Sequence, residues 1–581
     1  MPAFLDVEQS LTGRRWVGPD PASERLAEAI ARDADLPLAV ARILSARGVT
    51  AADAQAHLEP KLRDLMPDPL RLRDMGIAAA RLVAAVRAGQ RIAIFADYDV
   101  DGGASAALVL DWLRAQGRDA TVYVPDRIDE GYGPNAPAIA MLADGHDLIV
   151  CVDCGTLSHD ALAAAQGHAD VIVLDHHQGA ETLPPVLAVV NPNRMDEDGT
   201  LGHLCAAGVV FLTLVHSNRL LRDAGLPQPD LIGMLDLVAL ATVADVAPLI
   251  GVNRAFVRQG LVVMARRRRV GLAALADVAR MDSTPSAFHL GFLIGPRINA
   301  GGRVGRADLG ALCLSCTDPH QAARLATELD QLNRDRRTIE GGLREEALAQ
   351  IEARGPGHLA WAAGPGWHPG VVGIVAARVK EAARQPAVVI GVNDGVGKGS
   401  ARSVIGVDIG RAIQRLAAEG LIQKGGGHAM AAGLTVAEDA IPAAMARLDA
   451  IIAQQLAGGA SQSDALRVSG LMETTAATVD LFDLMDRAGP FGAAAPAPRF
   501  AFADQIIDSV STMGDGHLRL RFRAAGGPAL EAVAWGAMAS PLGPALIGAK
   551  GRRFHLAGKL ELSNWGGRQR IRLRLDDAAA A

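Results

Sequence analysis

Short apolar runs separated by helical patterns dominate the first third of the chain. Three of them, Ile92–Ala96, Leu148–Val152 and Val171–Leu174, are each followed directly by an aspartate. Runs of this length, rich in Val and Ile, are typical of parallel strands buried on both faces. Their alternation with helices as far as about residue 250 predicts a doubly wound α/β domain.

Changes of pattern divide the remaining chain. Beyond Pro319 a highly charged amphipathic stretch runs without proline, which predicts one long helix connecting two domains. A polar, glycine-rich break at 458–464 predicts a linker, and short alternating strands follow it, as in a small β-barrel. The predicted segments are a helical region at 1–90, a doubly wound domain at 91–317, a connecting helix at 318–356, a second α/β domain at 357–457 and a β-rich domain at 465–578.

Composition and charge narrow the class of protein. At 581 residues, half of them hydrophobic, the chain is long enough for several cores and too apolar for extended disorder. Its net charge of −6 gives no global basic field, so a polyanion would need a local basic surface. Five cysteines cannot all pair within the chain and suit a reducing compartment. Met1–Ser10 shows no signal-peptide pattern, so we expect a soluble, cytoplasmic protein without membrane contact.

Acidic and histidine side chains collect at the predicted strand ends. They are Asp97, Asp99 and Asp101, which precede a predicted helix at Ala104–Ala115, then Asp153, and then Asp175, His176 and His177. Because the carboxyl ends of parallel strands meet at one edge of a sheet, these groups should lie close together. Several carboxylates in one place repel each other unless a cation neutralises them. Asp245, inside the apolar stretch Leu240–Pro248, is either a further ligand or a helix-end aspartate.

The residue types indicate which metal these groups would bind. Carboxylates and imidazole without thiolate suit Mn²⁺ or Mg²⁺, and two such ions sharing one carboxylate can promote phosphoester hydrolysis. The pairs Cys151–Cys154 and Cys313–Cys316 have the spacing of zinc ligands. Alternation along a strand points the two sulfurs of the first pair to opposite faces, which favours buried packing thiols instead.

Ordered motifs along the chain resemble those of one family. The four phosphoesterase motifs of the DHH superfamily are matched, in order, by Asp97–Gly102, Asp153–Gly155, Asp175–His177 and Ala241–Leu249. Further matching segments are Tyr123–Arg127, Glu130–Gly133, Gly295–Arg303, Gly366–Gly373, Gly399–Ser403 and Gly425–His428. From about residue 15 to its carboxyl end, the chain resembles the RecJ family of single-strand-specific DNA exonucleases within that superfamily. It departs from the family at Gly492-Ala493-Ala494-Ala495-Pro496, where the family is usually more polar. This departure would change a local turn or a contact between domains rather than the catalytic centre.

The resemblance implies a role for each candidate. It makes 91–317 a DHH domain, 357–457 a DHHA1 domain and 465–578 an OB-fold domain. One ion would be held by Asp97, Asp99 and Asp153. The other would be held, with Asp153 bridging, by Asp101, Asp153, His176 and Asp245. His177 would face the phosphate, and Asp175 would orient its neighbours. The terminal 5′ phosphate or the nearby DNA backbone would contact Arg127, Ser400, Arg402, Arg297 and Arg303. Arg402 and His428 are expected in glycine-rich loops, and His428 would be another substrate contact.

The carboxyl-terminal strands carry most of the local positive charge. Lys550–Arg574 contains eight Lys or Arg residues against one acid, Glu561, with Phe554 and Trp565 interleaved. Basic strands with aromatics on a small barrel are typical of surfaces for single strands. A solvated basic hairpin is the alternative, and the family's OB fold favours the first interpretation.

These observations predict a Mn²⁺- or Mg²⁺-dependent enzyme with two ions. By resemblance it would be a 5′→3′ exonuclease on single-stranded DNA, releasing 5′-mononucleotides in recombination and repair beside a helicase and a single-strand-binding protein. One alternative is another DHH phosphoesterase acting on short oligoribonucleotides or cyclic dinucleotides, although such enzymes generally lack the barrel. A second alternative is a non-catalytic single-strand-binding protein, which the intact set of candidate ligands disfavours.

Overall fold

The structure is a computed structural model that describes residues 2–127, 129–457, 465–514, 516–565 and 568–581, without the side chains of 564, 565 and 568. The predicted linker at 458–464 and the Trp565 side chain lie outside the description. The α-helices are α1 (Pro21–Asp33), α2 (Leu38–Ser45), α3 (Ala54–Leu58), α4 (Leu62–Leu65), α5 (Met75–Ala88), α6 (Val100–Ala115), α7 (Ala136–Gly145), α8 (His159–Ala163), α9 (Ala206–Asp223), α10 (Leu235–Ala244), α11 (Gly251–Ala265), α12 (Val270–Val278), α13 (Gly295–Val304), α14 (Leu309–Leu314), α15 (Pro319–Arg354), α16 (Pro369–Ala383), α17 (Ile409–Ala418), α18 (Ile441–Ala457), α19 (Val479–Arg487) and α20 (Leu542–Leu546).

The strands define three larger sheets and one short pair. They are β1 (Trp16–Val17), β2 (Ile92–Ala96), β3 (Thr121–Tyr123), β4 (Leu148–Val152), β5 (Asp170–Leu174), β6 (Ala188–Val190), β7 (Ala360–Pro365), β8 (Ala387–Asn393), β9 (Val396–Arg402), β10 (Lys424–His428), β11 (Ala431–Ala437), β12 (Leu466–Arg467), β13 (Gly470–Leu471), β14 (Phe500–Met513), β15 (His517–Arg523), β16 (Leu530–Ala534), β17 (Arg553–Trp565) and β18 (Arg568–Ala580). The short pair is β1 with β12. Among the residues described, no helix has the length and apolar content needed to cross a membrane.

The first sheet is the predicted parallel sheet. Its strand order is β3-β2-β4-β5-β6, and every neighbouring pair is parallel. β2 and β4 are buried along their whole length, as are four of the five residues of β5, which explains their continuous apolar runs. From β2, the first strand of this sheet, the chain places β3 on one side and β4 to β6 on the other. Ligands of open α/β sheets usually bind at such a switch point. The predicted fold class is confirmed for this domain.

The second sheet has the order β10-β11-β9-β8-β7 and is mixed, because only β7 and β8 pair in parallel. One face of this sheet packs against α17 and α18, and α16 packs on the other side. The long helix α15 begins one residue after the predicted start, with Asp318 as its cap. Its buried residues include Ala326, Leu329 and Leu343, so part of its surface is packed rather than solvated.

The carboxyl-terminal strands close into the predicted small barrel. β14 pairs with both β15 and β17, and the ring continues through β16 and β18. Its core contains Phe500, Phe502 and Phe522, packed together with residues of α1 and α2. The alanine-rich departure forms a tight turn in which Gly492 and Ala495 exchange backbone hydrogen bonds. Five strands in a closed ring are the arrangement of an OB fold.

The chain forms two compact units. One contains the described residues of 1–66, 249–255 and 462–581, and therefore holds the barrel together with the first helices. The other contains the described residues of 67–248 and 256–461, and therefore holds the first and second sheets together. The five-segment division drawn from the sequence remains a prediction.

Candidate active site

Three neighbouring parallel strands deliver aspartates to one edge of the first sheet. The last residues of β2, β4 and β5 lie side by side in the register. The backbone N–H of Asp153 donates to the carbonyl of Leu174 (3.0 Å), which continues the register one residue past the strand end. Asp97, Asp153 and Asp175 therefore stand at the same edge, as the strand pattern predicts.

The loop after β2 turns tightly into helix α6, which begins four residues earlier than predicted. The Asp99 carboxylate accepts hydrogen bonds from the N–H groups of Asp101 (2.8 Å) and Gly102 (3.1 Å), so Asp99 caps this helix. A Cβ at Gly102 would overlap the carbonyl oxygen of Asp97, so only glycine fits. The cap and the close approach together hold three carboxylates within five residues, from the end of β2 to the first turn of α6.

Asp101 is buried opposite the start of helix α9. Its two carboxylate oxygens accept hydrogen bonds from the backbone N–H groups of Ala206 (2.7 Å) and Ala207 (2.8 Å). Free N–H groups at a helix start carry partial positive charge and stabilise an ionised carboxylate. Each oxygen keeps a lone pair for a further partner.

His176 lies among three of the carboxylates. Its Nε2 is 3.3 Å from Asp153 Oδ1, 3.7 Å from Asp101 Oδ2 and 3.8 Å from Asp245 Oδ2. Asp245 directly follows α10, so its backbone fits the helix-end alternative while its carboxylate reaches the cluster. Seven of the predicted residues therefore lie together, although they come from four separate segments of sequence.

Three overlapping groups of these side chains could each hold a metal ion, with ligand atoms within 4.8 Å of one another. The groups are Asp97 with Asp99 and Asp153, Asp101 with His176 and Asp245, and Asp153 with His176 and His177. No cysteine occurs in such a group among the residues described, and the thiols are free. The division of ligands between two ions remains a prediction.

The clustered carboxylates cannot all be charged without a cation. Burial, followed by the charge of Asp99, raises the pKa of Asp97 to about 8. Burial, followed by the charge of Asp101, raises the pKa of Asp245 to about 8 and also raises that of Asp153. The Oδ1 atoms of Asp97 and Asp153 are buried and accept no hydrogen bond from the described residues. Because an unpaired buried carboxylate is costly, this oxygen-rich site fits divalent cations such as Mn²⁺ or Mg²⁺.

Asp175 differs from the other aspartates because both of its carboxylate oxygens accept hydrogen bonds, four in all. Its Oδ1 accepts from the N–H groups of His176 (2.8 Å) and His177 (3.2 Å) and from His177 Nδ1 (2.7 Å), while Oδ2 accepts from the Thr156 N–H (3.0 Å). Burial opposes its ionisation, but the hydrogen bonds from His177 and Thr156 outweigh burial and hold its pKa below the usual range. Its geometry is that of a residue orienting the histidine pair.

Two polar side chains that the sequence analysis did not select also hold His177. The Tyr132 hydroxyl lies 3.0 Å from His177 Nε2, and the Asn191 amide donates to the His177 carbonyl (2.8 Å) and to Thr156. Asn191 directly follows strand β6, so the strand-end rule that found the aspartates could have found it. Tyr132 follows no strand, but it lies in Glu130–Gly133, one of the segments that match the family, so that match could have pointed to it.

Arginines without acidic partners lie near the aspartates. Arg127 stacks over the Tyr98 ring at 5.1 Å, Arg303 donates to the Gly370 carbonyl (3.2 Å), and Arg402 donates to the Ala401 carbonyl (2.8 Å). Burial, followed by the charge of Arg127, lowers the pKa of both Arg303 and Arg402. Within the described part of the chain none of the three pairs with a carboxylate. Such a concentration of unneutralised guanidinium groups favours a bound anion.

A cavity of about 550 Å³ lies next to these arginines and is lined by Arg127, the start of α16 and the second sheet, including Ser400. The Ser400 hydroxyl and one Arg402 Nη both face Gly373 of α16, at 3.3 and 3.4 Å from where a Cβ would stand. Backbone N–H groups at a helix start, a hydroxyl and guanidinium groups together suit a phosphate.

Two predicted substrate residues are placed differently. Arg297 is buried, and its Nε donates to Asp330 (2.9 Å) while Nη1 donates to the Leu293 carbonyl (2.7 Å). This engages Arg297 in joining α13 to α15. His428 is exposed and does not line the cavity. The expected glycine-rich loops are wrong here, because Arg402 and His428 are the last residues of the paired strands β9 and β10. Contact of Arg297 and His428 with substrate remains a prediction.

Family models match three regions of the chain. The DHH family N-terminal domain matches residues 91–242, the DHHA1 domain matches 356–454, and the RecJ OB domain matches 468–577. These regions hold the first sheet, the second sheet and the barrel. The candidate ligands Asp97 through His177 fall within the first region, and Ser400 and Arg402 fall within the second.

Whole-chain comparisons agree with these matches. The chain is 36% identical over 563 residues to the single-stranded-DNA-specific exonuclease RecJ of Dickeya dadantii, covering 93% of this chain and 96% of that protein. It is similar to the crystal structure of RecJ from Thermus thermophilus in complex with Mn²⁺, with TM-score 0.79, 30% identity and coverage of 97% of this chain and 79% of that one. The corresponding Mg²⁺ complex gives TM-score 0.73 and 28% identity, covering 97% of this chain and 78% of that one. The chain therefore belongs to the RecJ family of single-stranded-DNA-specific exonucleases.

Proposed function

We propose that this chain hydrolyses single-stranded DNA from the 5′ end, with Mn²⁺ or Mg²⁺, and releases 5′-mononucleotides in recombination and repair. The observation that carries the proposal is the cluster of buried, cation-demanding carboxylates with a phosphate-compatible cavity in the same compact unit. The substrate named for the Dickeya dadantii relative and the ions named for the Thermus thermophilus structures support it.

The proposed ligands of the two ions combine the overlapping groups with the family resemblance, which makes Asp153 the shared ligand. Asp97, Asp99 and Asp153 would hold one ion, and Asp101, Asp153, His176 and Asp245 would hold the other. Two bound ions supply a reactive water at neutral pH and stabilise charge on the leaving oxygen. The N–H groups at the start of α9 fix the Asp101 carboxylate in place and favour its charged form, while burial, the larger effect, raises its pKa.

His177 would contact the phosphate that is cleaved. Asp175 accepts its Nδ1–H, which fixes the ring and leaves Nε2 directed toward Tyr132. Burial opposes the charged ring, but the Asp175 carboxylate outweighs burial and raises the pKa of His177 to about 9. A cationic ring at this position would stabilise negative charge on the phosphate oxygens.

Polarity and product length would follow from the terminal phosphate. Arg127, Ser400 and Arg402 would hold a 5′ phosphate beside the cavity, at a fixed position relative to the aspartates. A strand held in this way presents the same internucleotide bond to the aspartates in every cycle. Release of one nucleotide at a time from the 5′ end is the expected consequence.

The barrel would hold the rest of the strand. Arg519 and Arg521 are exposed on β15, alternating with the buried residues Leu518, Leu520 and Phe522. Exposed Trp535 lies 5.8 Å from the Arg572 guanidinium. Cationic strands with an aromatic surface suit a nucleic-acid backbone and its bases.

Partners and location complete the proposal. A helicase would supply single strands, and a single-strand-binding protein would present them to this enzyme in the cytoplasm. The free thiols support a reducing compartment. The partnership is tested by measuring activity on DNA strands coated with a single-strand-binding protein. The unmodified chain is compared with a variant whose barrel surface is mutated.

Hydrolysis of end-labelled DNA tests the central proposal. Matched single- and double-stranded oligonucleotides, labelled at either end, are incubated with Mn²⁺ or with a chelator. We expect metal-dependent loss of nucleotides from the 5′ end of the single strand alone. Asp153→Ala should abolish turnover while leaving single-strand binding in place, and Asp144→Ala, at an exposed aspartate on α7, is the matched control.

Other results would change the conclusion. Cleavage of cyclic dinucleotides or short oligoribonucleotides without cleavage of DNA would indicate another kind of DHH phosphoesterase. Binding of single strands without hydrolysis under any metal would indicate a non-catalytic binding protein. Near-normal hydrolysis by Asp153→Ala would remove the bridging role proposed for that residue.

A further inference from the structure

The cavity beside Ser400 continues past the residues proposed to hold the terminal phosphate. Its volume of about 550 Å³ is in the range that holds whole ligands, and it is larger than one phosphate requires. Lys398, Lys424 and Thr435 line it together with Arg127 and Ser400. The proposed function assigns no role to the two lysines or to Thr435.

The register of the second sheet arranges the lining in rows. Thr435 of β11 lies directly between Lys398 of β9 and Lys424 of β10, and directly opposed residues point to the same face. The outer strands of this row are about 10 Å apart, so two lysine side chains can reach one ligand between them. This row of Lys398, Thr435 and Lys424 is called the lysine row below.

The row next to it has almost no side chains. Ser400 lies beside Gly433, which lies beside Gly426. Apart from the Gly399 carbonyl at 3.9 Å, the space above Gly433 is open. Two residues along a strand span about 7 Å, so the lysine row lies about 7 Å from Ser400 on the same face of the sheet. The two glycines add no side chain to the space next to Ser400.

The opposite end of β9 leads toward the aspartates. Arg402 lies two residues beyond Ser400, on the side away from the lysine row. Arg127 interacts electrostatically with Arg402 and with Asp97 of the aspartate cluster. A DNA strand whose 5′ phosphate lies at Ser400 would therefore extend toward Arg402 and the aspartates. The lysine row lies in the opposite direction along β9 from Arg402, which suits a group attached beyond the 5′ phosphate.

The lysines are available for such a group. Within the described residues neither ammonium group forms an ion pair or a hydrogen bond, and both lysines are exposed to the cavity side of the sheet. Two ammonium groups with a hydroxyl between them suit a chain of phosphates, which carries several negative charges at short spacing.

We propose that the lysine row is a second anion subsite, which accepts the outer phosphates of a strand with a 5′-triphosphate end. This rests on the proposed function, because it takes the terminal phosphate to lie at Ser400. It makes a single strand with a 5′-triphosphate end a direct substrate of this enzyme.

The reaction at such an end is ordinary phosphodiester hydrolysis. Water adds to the phosphorus between the first and second nucleotides, and the 3′ oxygen of the first nucleotide leaves and takes a proton. The products are a nucleoside 5′-triphosphate and a strand one nucleotide shorter with a 5′ phosphate. No pyrophosphate is released, because the bonds within the triphosphate are not broken.

Binding and product analysis test the subsite. One oligonucleotide is prepared with a 5′-monophosphate or a 5′-triphosphate, and its binding to the full chain is measured by fluorescence anisotropy in chelator. Hydrolysis with Mn²⁺ is followed separately. The variants are Lys398→Ala with Lys424→Ala, the single Lys398→Ala in case the double variant fails to fold, and Lys380→Ala on α16 as the control.

We expect the unmodified chain to bind the triphosphate end about tenfold more tightly than the monophosphate end. The double variant should lose that preference while its monophosphate binding changes by less than about threefold, and Lys380→Ala should keep it. The first product from the triphosphate end should be a nucleoside triphosphate. Equal binding of both ends by the unmodified chain, or equal weakening of both by the lysine variants, would overturn the subsite. Failure to hydrolyse even the monophosphate strand would instead overturn the proposed function.

Discussion

Replacing Asp175 with asparagine separates an orienting residue from a metal ligand. The side chain accepts four hydrogen bonds at 2.7–3.2 Å, three on Oδ1 and one on Oδ2, and it is buried. Asparagine has the same shape but offers one acceptor oxygen. If that oxygen faces the histidines, the buried Thr156 N–H loses its partner at a cost of about 1–3 kcal/mol. Loss of the charge-assisted bond to His177 adds about 1 kcal/mol.

The expected result is a folded enzyme with weakened function. The free energy of unfolding should fall by about 2–4 kcal/mol, and turnover or Mn²⁺ affinity should fall about 10- to 100-fold, as when a residue behind a metal ligand is changed. Calorimetric Mn²⁺ titration should still show two ions bound per chain at saturation, with Asp144→Asn as the control. Turnover within twofold of the unmodified enzyme, or loss of one bound ion, would refute the orienting role.

Two further substitutions test other parts of the site. Arg402→Ala should reduce kcat/KM on 5′-phosphorylated strands about tenfold more than on unphosphorylated ones, because its guanidinium faces the proposed phosphate position; equal losses on both substrates would make it a general backbone contact. Gly102→Ala should destabilise the domain by about 1–3 kcal/mol and lower activity further than stability explains, since its Cβ overlaps the Asp97 carbonyl; an unchanged melting temperature and rate would show that the loop can move aside.

Much of the site could be predicted from the sequence because its elements are local. The runs Ile92–Ala96 and Leu148–Val152 are strands with the predicted bounds, and parallel pairing brings their ends together whatever the rest of the chain does. The start of α6 was predicted four residues late. Asp99 caps this helix, and aspartate before a helix is a strong capping signal in a sequence.

Residues of the same type have different partners in the structure, and the local sequence does not predict which. Asp153 and Asp175 both follow buried strands, yet Asp153 keeps an unpaired oxygen while Asp175 accepts four hydrogen bonds. Arg297 and Arg303 stand in one motif, yet Arg297 pairs with Asp330 and Arg303 stays without an acidic partner among the described residues. Each difference depends on residues far away in sequence.

The sequence by itself determined the central strands of the first sheet, the family, and the carboxylates and histidines at the ends of those strands. These follow from periodicity and residue type, which act over a few neighbouring positions. Only the tertiary structure decided which oxygens remain free for cations, that Tyr132 and Asn191 hold His177, and that Lys398 and Lys424 face one cavity. The physical reason is that a side chain's hydrogen-bond partners, and the side chains that meet at one cavity, depend on the distances between segments. Those distances are set by sheet register and packing rather than by local sequence.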